Sequence, residues 1–264
     1  MLIFSALYDF IVNIYRYREY LLQSVARDLR KRYQGSVLGY FWTILHPLGI
    51  LTILTLVFSK IMNIGIKDYA IFLFPGVLTW NYFNSTLMLS LMSIRNNAKL
   101  LNQVPVPKFL FVISYALSNL INYFFSLLPL IIIMKFMGHQ LSIYIFALPL
   151  LLFPLLLVTI GISLFLANCA VFFDDTLHIT EVALQALYFL CPILYYREAL
   201  PSEIIPYLIL NPLFTQIEFI RGVFYQGVMP DVSIYLGNCL LSFVFLLTGL
   251  LIFKINENKF LYFI

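Results

Sequence analysis

Two adjacent carboxylates, Asp174 and Asp175, stand in Phe172-Phe-Asp-Asp-Thr-Leu-His178 at the end of a long apolar run. Such a pair can bind Mg²⁺ through oxygen and so hold the diphosphate of a polyprenyl carrier. No second acidic motif completes a site of that kind. The pair therefore reads first as a cytoplasmic turn in which Asp175 or Thr176 caps the next helix. Cys169, Cys191 and Cys239 lie far apart in apolar runs, which suggests neither a metal cluster nor a disulfide framework. The chain has no Gly-x-x-x-x-Gly-Lys-Ser/Thr loop to cradle phosphates, so ATP hydrolysis is not expected of it.

The other chemistry on offer is that of rings with polar tips. Tyr40, Trp42 and His46 interrupt one apolar run, and Leu184, Tyr188, Cys191 and Tyr195 fall on one face if a helix carries them. A ring bearing a hydroxyl or N–H joins apolar surface to a hydrogen-bonding handle, the combination a sugar needs. Trp80, Tyr82, Tyr195 and Tyr196 lie near segment ends or prolines, where anchoring at a membrane interface is the plainer expectation.

These side chains must be carried by membrane helices. Of the 264 residues 62% are hydrophobic, 17% aromatic and only 11% charged, and the mean hydropathy is +0.95. Soluble domains run nearer 45–50% apolar and about 25% charged. The chain is expected to be an all-α integral membrane protein, and no polar stretch is long enough for a soluble domain. A net charge of +4, with the basic residues at segment ends, fits an orientation signal better than a nucleic-acid face.

That signal is strongest in Arg27-Asp-Leu-Arg-Lys-Arg-Tyr33, where Arg27, Arg30, Lys31 and Arg32 surround one carboxylate just before an apolar run. Basic residues stay on the cytoplasmic side, so the preceding chain is expected in the cytoplasm. Residues 1–35 lack the basic n-region of a signal peptide. Leu7, Phe10, Ile11, Ile14, Tyr17, Leu21, Val25 and Leu29 instead recur at helical spacing, with Arg16, Gln23, Arg27 and Arg30 largely opposite. This predicts an amphipathic helix in the headgroup plane, against membrane lipids, whose polar side is free to dock a cytoplasmic partner.

About six spans are expected: Val37 to Met62, Ile71 to Ile94, Phe109 to Met137, Ile143 to Phe172, Ile179 to Leu194 and Val232 to Phe253. Both termini are then cytoplasmic. Pro149 and Pro154 predict kinks in the fourth span. The loop from Arg95 to Lys108 carries Arg95, Lys99 and Lys108 without an acid, again the cytoplasmic sign. Ile94, Ala98, Leu101 and Val104 predict a short amphipathic turn there, ended by Pro105 and Pro107. Between Glu198 and Asp231 two apolar pieces, Ile204 to Leu210 and Leu213 to Phe224, are too short to cross separately and suggest a re-entrant hairpin. Glu203, Glu218 and Arg221 are expected near its outer interface, facing protein or a wet cavity.

The order Arg27-Asp28-Leu29 through Tyr33, Ser36, Leu38-Gly39, Trp42 and Pro47 is followed by Phe74-Pro-Gly76, Trp80 and Phe83. Next come Asn97 to Leu101 with Pro105 to Lys108, Cys191-Pro-Ile193 with Tyr195, and Asn211-Pro212 with Arg221. This order resembles the membrane subunit of ABC-2 type polysaccharide exporters over nearly the whole chain. Phe173-Asp174 departs from the Arg-Asp common in the family. The resemblance implies a single ABC-2 type transmembrane domain over 1–264, with an interface helix (1–35), five spans (37–194), an exit hairpin (198–231) and a last span (232–253). It also implies a homodimer enclosing a channel and paired with two copies of a separate nucleotide-binding ATPase subunit. ATP and Mg²⁺ would sit on that subunit, and this chain would need no cofactor.

The cargo so implied is a lipid-linked glycan, O-antigen ahead of capsule or teichoic acid, carried across the inner membrane. Arg27, Arg30, Lys31, Arg95 and Lys99 would form the ATPase-coupling surface. Tyr40, Trp42, His46, Trp80, Tyr188 and Tyr195 would line the path, and Glu203, Glu218 and Arg221 the exit hairpin. An exporter of a small hydrophobic drug, and an intramembrane polyprenyl-phosphate enzyme using Asp174 and Asp175, are the alternative readings.

Overall fold

A computed structural model describes the chain except Met1, Tyr33, residues 62–64, Asn102, Val104 and Ile264. The described residues are overwhelmingly helical and include no strand. Helices suit this solvent, because in hydrocarbon every backbone polar group must be satisfied within the protein and a helix does so within its own segment.

The N-terminal periodicity gives two helices, α1 (Leu2–Arg16) and α2 (Arg18–Arg32). Backbone hydrogen bonds run through Tyr17, from Tyr17 N to Asn13 O and Leu21 N to Tyr17 O, so the expected single helix is only jointed there. Phe10, Leu21 and Val25 are buried and Arg30 is exposed, as the amphipathic pattern requires. A 3₁₀ turn (Gly39–Phe41) leads into α3 (Trp42–Ile61). α4 (Ile66–Leu91) starts earlier than the hydropathy suggested; the expected outer loop from Asn63 includes residues outside those described. Two single turns, α5 (Ser93–Asn96) and α6 (Ala98–Leu101), stand where one amphipathic turn was expected, with Val104 outside the described residues.

Then come α7 (Phe109–Phe136), a 3₁₀ turn (Ile143–Ala147) and α8 (Leu148–Phe172). Pro149 lies in the first turn of α8, where its missing N–H has no helical role, so of the two prolines only Pro154 lies inside the helix. α9 (Thr176–Leu190) is followed by a short α10 (Ile205–Leu208), then α11 (Pro212–Arg221), one π turn (Gly222–Gln226) and α12 (Val232–Asn256). A last 3₁₀ stretch covers Glu257–Tyr262.

Among the described residues, four helical stretches are long and apolar enough to cross a membrane: Gly39–Ile61, Phe109–Phe136, Ile143–Phe172 and Val232–Phe260. α4 has the length but carries Asn81, Asn84, Ser85 and Thr86 within its second half. α9 ends at Leu190, four residues before the expected boundary, because Pro192 follows and Cys191 is already extended. Its 15 residues rise roughly 22 Å, short of a hydrocarbon core of about 30 Å.

One apolar cluster surrounds α4, drawing Phe72, Phe74 and Phe83 together with Leu127 of α7, Leu155 of α8, Leu184 of α9 and Ile217 of α11. A second joins α7, α8 and α12 to α1 and α2 through Phe10, Phe109, Leu164 and Phe253. α8 and α12 cross at Gly161 and Gly249, where a Cβ on either would overlap the partner backbone. Lipid tails are as apolar as leucine, so such close backbone approach drives helix association here.

The chain's two ends of the bundle differ in character. One carries α1, α2, α5, α6, residues 105–108, the 173–175 turn and the C-terminal 3₁₀ stretch. At that end Lys254 pairs with Asp9, and Lys108 donates to the Glu257 carbonyl while lying 5.5 Å from the Phe260 ring. Burial pulls Lys108 below the usual lysine range, and Glu257 partly offsets this. The other end carries the 138–147 and 191–231 segments, where His139 stacks on Tyr225 at 6.1 Å.

Candidate functional site

Polar side chains in an apolar bundle must find partners or line water, because an unpaired polar group in hydrocarbon costs several kcal/mol. Here they gather around one face of α4. Asn81, Asn84 and Ser85 face Asn119, Asn122, Tyr123 and Ser126 of α7 and Trp42, Thr43 and His46 of α3, enclosing a cavity of about 470 Å³. Arg32, at the end of α2, closes one side of it. The Arg32 guanidinium donates to Asn119 Oδ1, Asn119 Nδ2 donates to Thr86 Oγ1 at 3.0 Å, and Thr86 Oγ1 donates to Tyr82 O at 2.7 Å. This chain of bonds ties the basic end of α2 to α7 and α4. Ser126 Oγ reaches both Thr43 O (3.3 Å) and Asn122 O (2.9 Å), holding α3 against α7. The Asn122 amide and Thr43 hydroxyl are buried with no hydrogen-bond partner among the described residues, a cost that a hydroxyl-rich guest or water relieves.

A second cavity of about 440 Å³ opens on the other side of Asn84, between α4 and α9. Trp80 and Tyr188 meet edge to face within it, their ring centres 5.3 Å apart, and Met88, Glu181, Leu184, Gln185 and Phe189 complete it. Asn84 lines both cavities.

The expected path residues are thus divided. Trp42 and His46 line the first cavity, and Trp80 and Tyr188 the second. Tyr40 sits on the 3₁₀ turn with its ring half exposed. Tyr195 does not continue the face of Leu184 and Tyr188, because the helix has ended; its hydroxyl donates to Phe189 O at 2.8 Å. Sequence reasoning missed Asn84, Asn119, Asn122, Glu181 and Gln185. Their signal was helical spacing, 81-84-85, 119-122-126 and 181-185, of polar residues inside apolar segments.

The basic residues also separate. Arg27 pairs with Asp28 at 3.2 Å, and Asp28 accepts from Ser114 Oγ of α7 at 3.3 Å. Arg30 donates to Ala26 O at 3.2 Å, and Lys31 and Lys99 are exposed. Arg95 is engaged within the chain: it pairs with Asp174 and donates to Val171 O at 3.3 Å. A carboxylate held by a guanidinium is a poor metal ligand, and no group of three or more His, Cys, Asp or Glu able to hold a metal occurs among the described residues. Asp175 takes the N-cap position of α9 without a side-chain capping bond, while the Thr176 hydroxyl donates back to Phe173 O at 2.8 Å.

Glu203 lies exposed in a turn, apart from Glu218 and Arg221. Arg221 is 3% exposed and fully occupied. Its Nη1 meets Glu218 Oε1 at 2.8 Å, its Nη2 donates to Pro192 O at 2.6 Å and Ile193 O at 3.2 Å, and its Nε donates to Phe72 O at 3.2 Å. The guanidinium lies 3.7 Å over the Phe72 ring. Gly76 lies close beside it, where a Cβ would stand 3.1 Å from Nη2. This one side chain therefore joins α11, α4 and the broken end of α9. Gln216 adds a second pin by donating to Leu151 O of α8 while accepting from Asn238 of α12 at 3.2 Å.

The family model for ABC-2 type transporters matches residues 19–225. The chain is 28% identical over 250 residues to "O-antigen export system permease protein RfbA" of Myxococcus xanthus, covering 94% of this chain and 96% of that protein. It is 28% identical over 236 residues to a protein of the same name from Klebsiella pneumoniae, covering 89% and 90%. Over 240 residues it is 29% identical to "Polysialic acid transport protein KpsM" of Escherichia coli, covering 89% and 92%. With apolar helices of membrane-spanning length and a family match over most of its residues, this integral membrane protein belongs to the ABC-2 type transporter family.

Proposed function

We propose that this chain is the permease subunit of an ATP-driven exporter that moves lipid-linked polysaccharide, O-antigen first among the candidates, across the inner membrane. The observation that carries the reading is the pair of cavities flanking Asn84, which combine indole and phenol rings with side-chain amides inside an apolar bundle. Rings offer sugar faces a dry surface and amides read hydroxyls. A hydrophobic drug would leave those amides unpaired, which disfavours the drug-exporter reading. Similarity over nearly the whole length to relatives named for O-antigen export supports the same cargo.

In this reading two copies of the chain form the channel and two copies of an ATPase subunit drive it, with ATP and Mg²⁺ bound by that partner. α4 and α9 join the four apolar helices as spans, giving six, and both termini lie in the cytoplasm. α10 and α11 form the re-entrant hairpin; α11, with 10 residues and roughly 15 Å of rise, reaches only partway through the core. Arg27, Arg30, Lys31 and Lys99 offer the coupling surface. Arg95 serves it indirectly, by holding the 173–175 turn.

The test is co-expression with an ATPase subunit bearing a phosphate-binding loop, followed by reconstitution into vesicles loaded with a lipid-linked glycan. A stable complex and nucleotide-dependent movement of the glycan are expected. Movement at full rate by this chain without nucleotide, or recovery of the chain only as an isolated monomer, would overturn the reading.

A further inference from the structure

The cavity between α4 and α9 has a chemical bias. Trp80 is buried and backs the partly exposed Tyr188 ring edge to face at 5.3 Å, so a pyranose resting on Tyr188 lies beside the indole. The amides of Asn84 and Gln185 border the same space, and each offers an acceptor oxygen and two donor hydrogens, the pattern that reads neighbouring hydroxyls. Among the described residues lining this cavity, Glu181 is the one charged side chain. Its carboxylate is half exposed, with the His178 ring on the preceding turn 3.6 Å away. The cavity wall therefore presents amide donors and acceptors together with one negative charge. Arg32 lines the first cavity, on the far side of Asn84, and is bonded to Asn119.

We propose that the crevice formed by Trp80, Asn84, Glu181, Gln185 and Tyr188 is a sugar-ring subsite whose Glu181 carboxylate selects neutral or amino-sugar glycans and rejects polyanionic ones. The inference rests on the glycan-exporter reading and deepens it by naming the cargo's charge. A carboxylate accepts hydrogen bonds from sugar hydroxyls and attracts an ammonium, whereas a sialic acid unit brings a second carboxylate beside it. Like-charge juxtaposition is the element that discriminates, since the rings and amides bind both kinds of sugar. One relative of similar sequence carries the name of a polysialic acid transport protein, so a polyanionic glycan is the comparison to test.

The chain has two tryptophans, Trp42 and Trp80. In a Trp42→Phe background the indole emission reports Trp80 alone. The full-length chain in lipid nanodiscs is titrated with a neutral glucose oligomer, a glucosamine oligomer and a sialic acid oligomer of matched length. The neutral and amino-sugar oligomers are expected to change Trp80 emission, with the sialic acid oligomer binding about tenfold more weakly at low salt. Glu181→Gln should cut that discrimination to about threefold or less, and Glu181→Lys should reverse it. Equal binding of sialic acid and neutral oligomers by the Glu181 chain overturns the proposal. So does discrimination that survives Glu181→Gln, or an emission that no oligomer changes. Nucleotide-driven glycan movement in vesicles is scored separately, with Trp42 and Glu181 both in place. If it persists while the fluorescence result fails, the subsite is wrong and the exporter reading stands; if it is absent while Trp80 discriminates, the reverse holds.

Discussion

Replacing Arg221 by Met is expected to loosen one whole end of the molecule. The guanidinium makes three bonds to the carbonyls of Phe72, Pro192 and Ile193, one to Glu218, and a stacking contact with Phe72. Met fills most of the volume but supplies no donor, so three carbonyls and the Glu218 carboxylate lose these bonds. Removing one partner of such a buried pair costs about 3–5 kcal/mol. For a chain of this size that corresponds to a fall in melting temperature of roughly 6–20 °C. Arg221→Lys keeps the charge, but a single ammonium cannot serve Nε and Nη2 acceptors on three sides, so about half the loss is expected. Glu218→Gln keeps an acceptor for Nη1 but leaves the buried guanidinium without its counter-charge, so a loss of about 3 kcal/mol is expected. Thermal unfolding of detergent-purified protein, followed by loss of the monodisperse peak, reads these shifts. An Arg221→Met chain melting within about 2 °C of the native one would refute the idea that this residue locks α11 to α4 and to the end of α9.

Gly161→Ala should separate α8 from α12 and cost about 1–3 kcal/mol in the same melting assay, whereas Gly237→Ala on α12, with nothing within 4 Å of its Cβ position, should leave stability unchanged or raise it by about 0.5 kcal/mol. Asp231 caps α12. The Ser233 hydroxyl, then the backbone N–H groups of Ser233 and Ile234, hold it below the ordinary carboxylate value. A group depressed on folding stabilises above its unfolded pKa of about 3.9, and the contribution fades as pH falls through the lower folded value, so Asp231→Asn should flatten the acid limb of a stability–pH profile below about pH 4. Arg95→Asp should lower export per ATP hydrolysed with little change in melting, since the Asp174 carboxylate is 84% exposed and such pairs contribute about 0–1 kcal/mol. The swapped pair Arg95→Asp with Asp174→Arg should restore export, and export unchanged in the single variant would remove this contact from the mechanism.

Membrane residence, helical class and the positions of most long helices were legible in the sequence, because each depends on summed local properties. Twenty apolar residues bounded by charges have few alternatives in a bilayer, and α7 and α8 sit within one residue and a few residues of their expected limits. The joint at Tyr17 and the early end of α9 were less legible. The former is a small deviation that hydrogen bonds bridge, and the latter turns on one proline read as part of an apolar run.

What the sequence determined by itself was that this chain lives among lipids, that its basic residues cluster at helix ends, and that its motif order is that of a transporter permease. Tertiary structure alone decided which polar residues meet. Asn84 became the wall shared by two cavities, Arg95 found Asp174 79 positions away, and Arg221 reached backbone carbonyls of two distant segments. Composition and hydropathy are sums over neighbours in the chain. A cavity or a buried guanidinium is a relation among helices that neighbour sums do not contain.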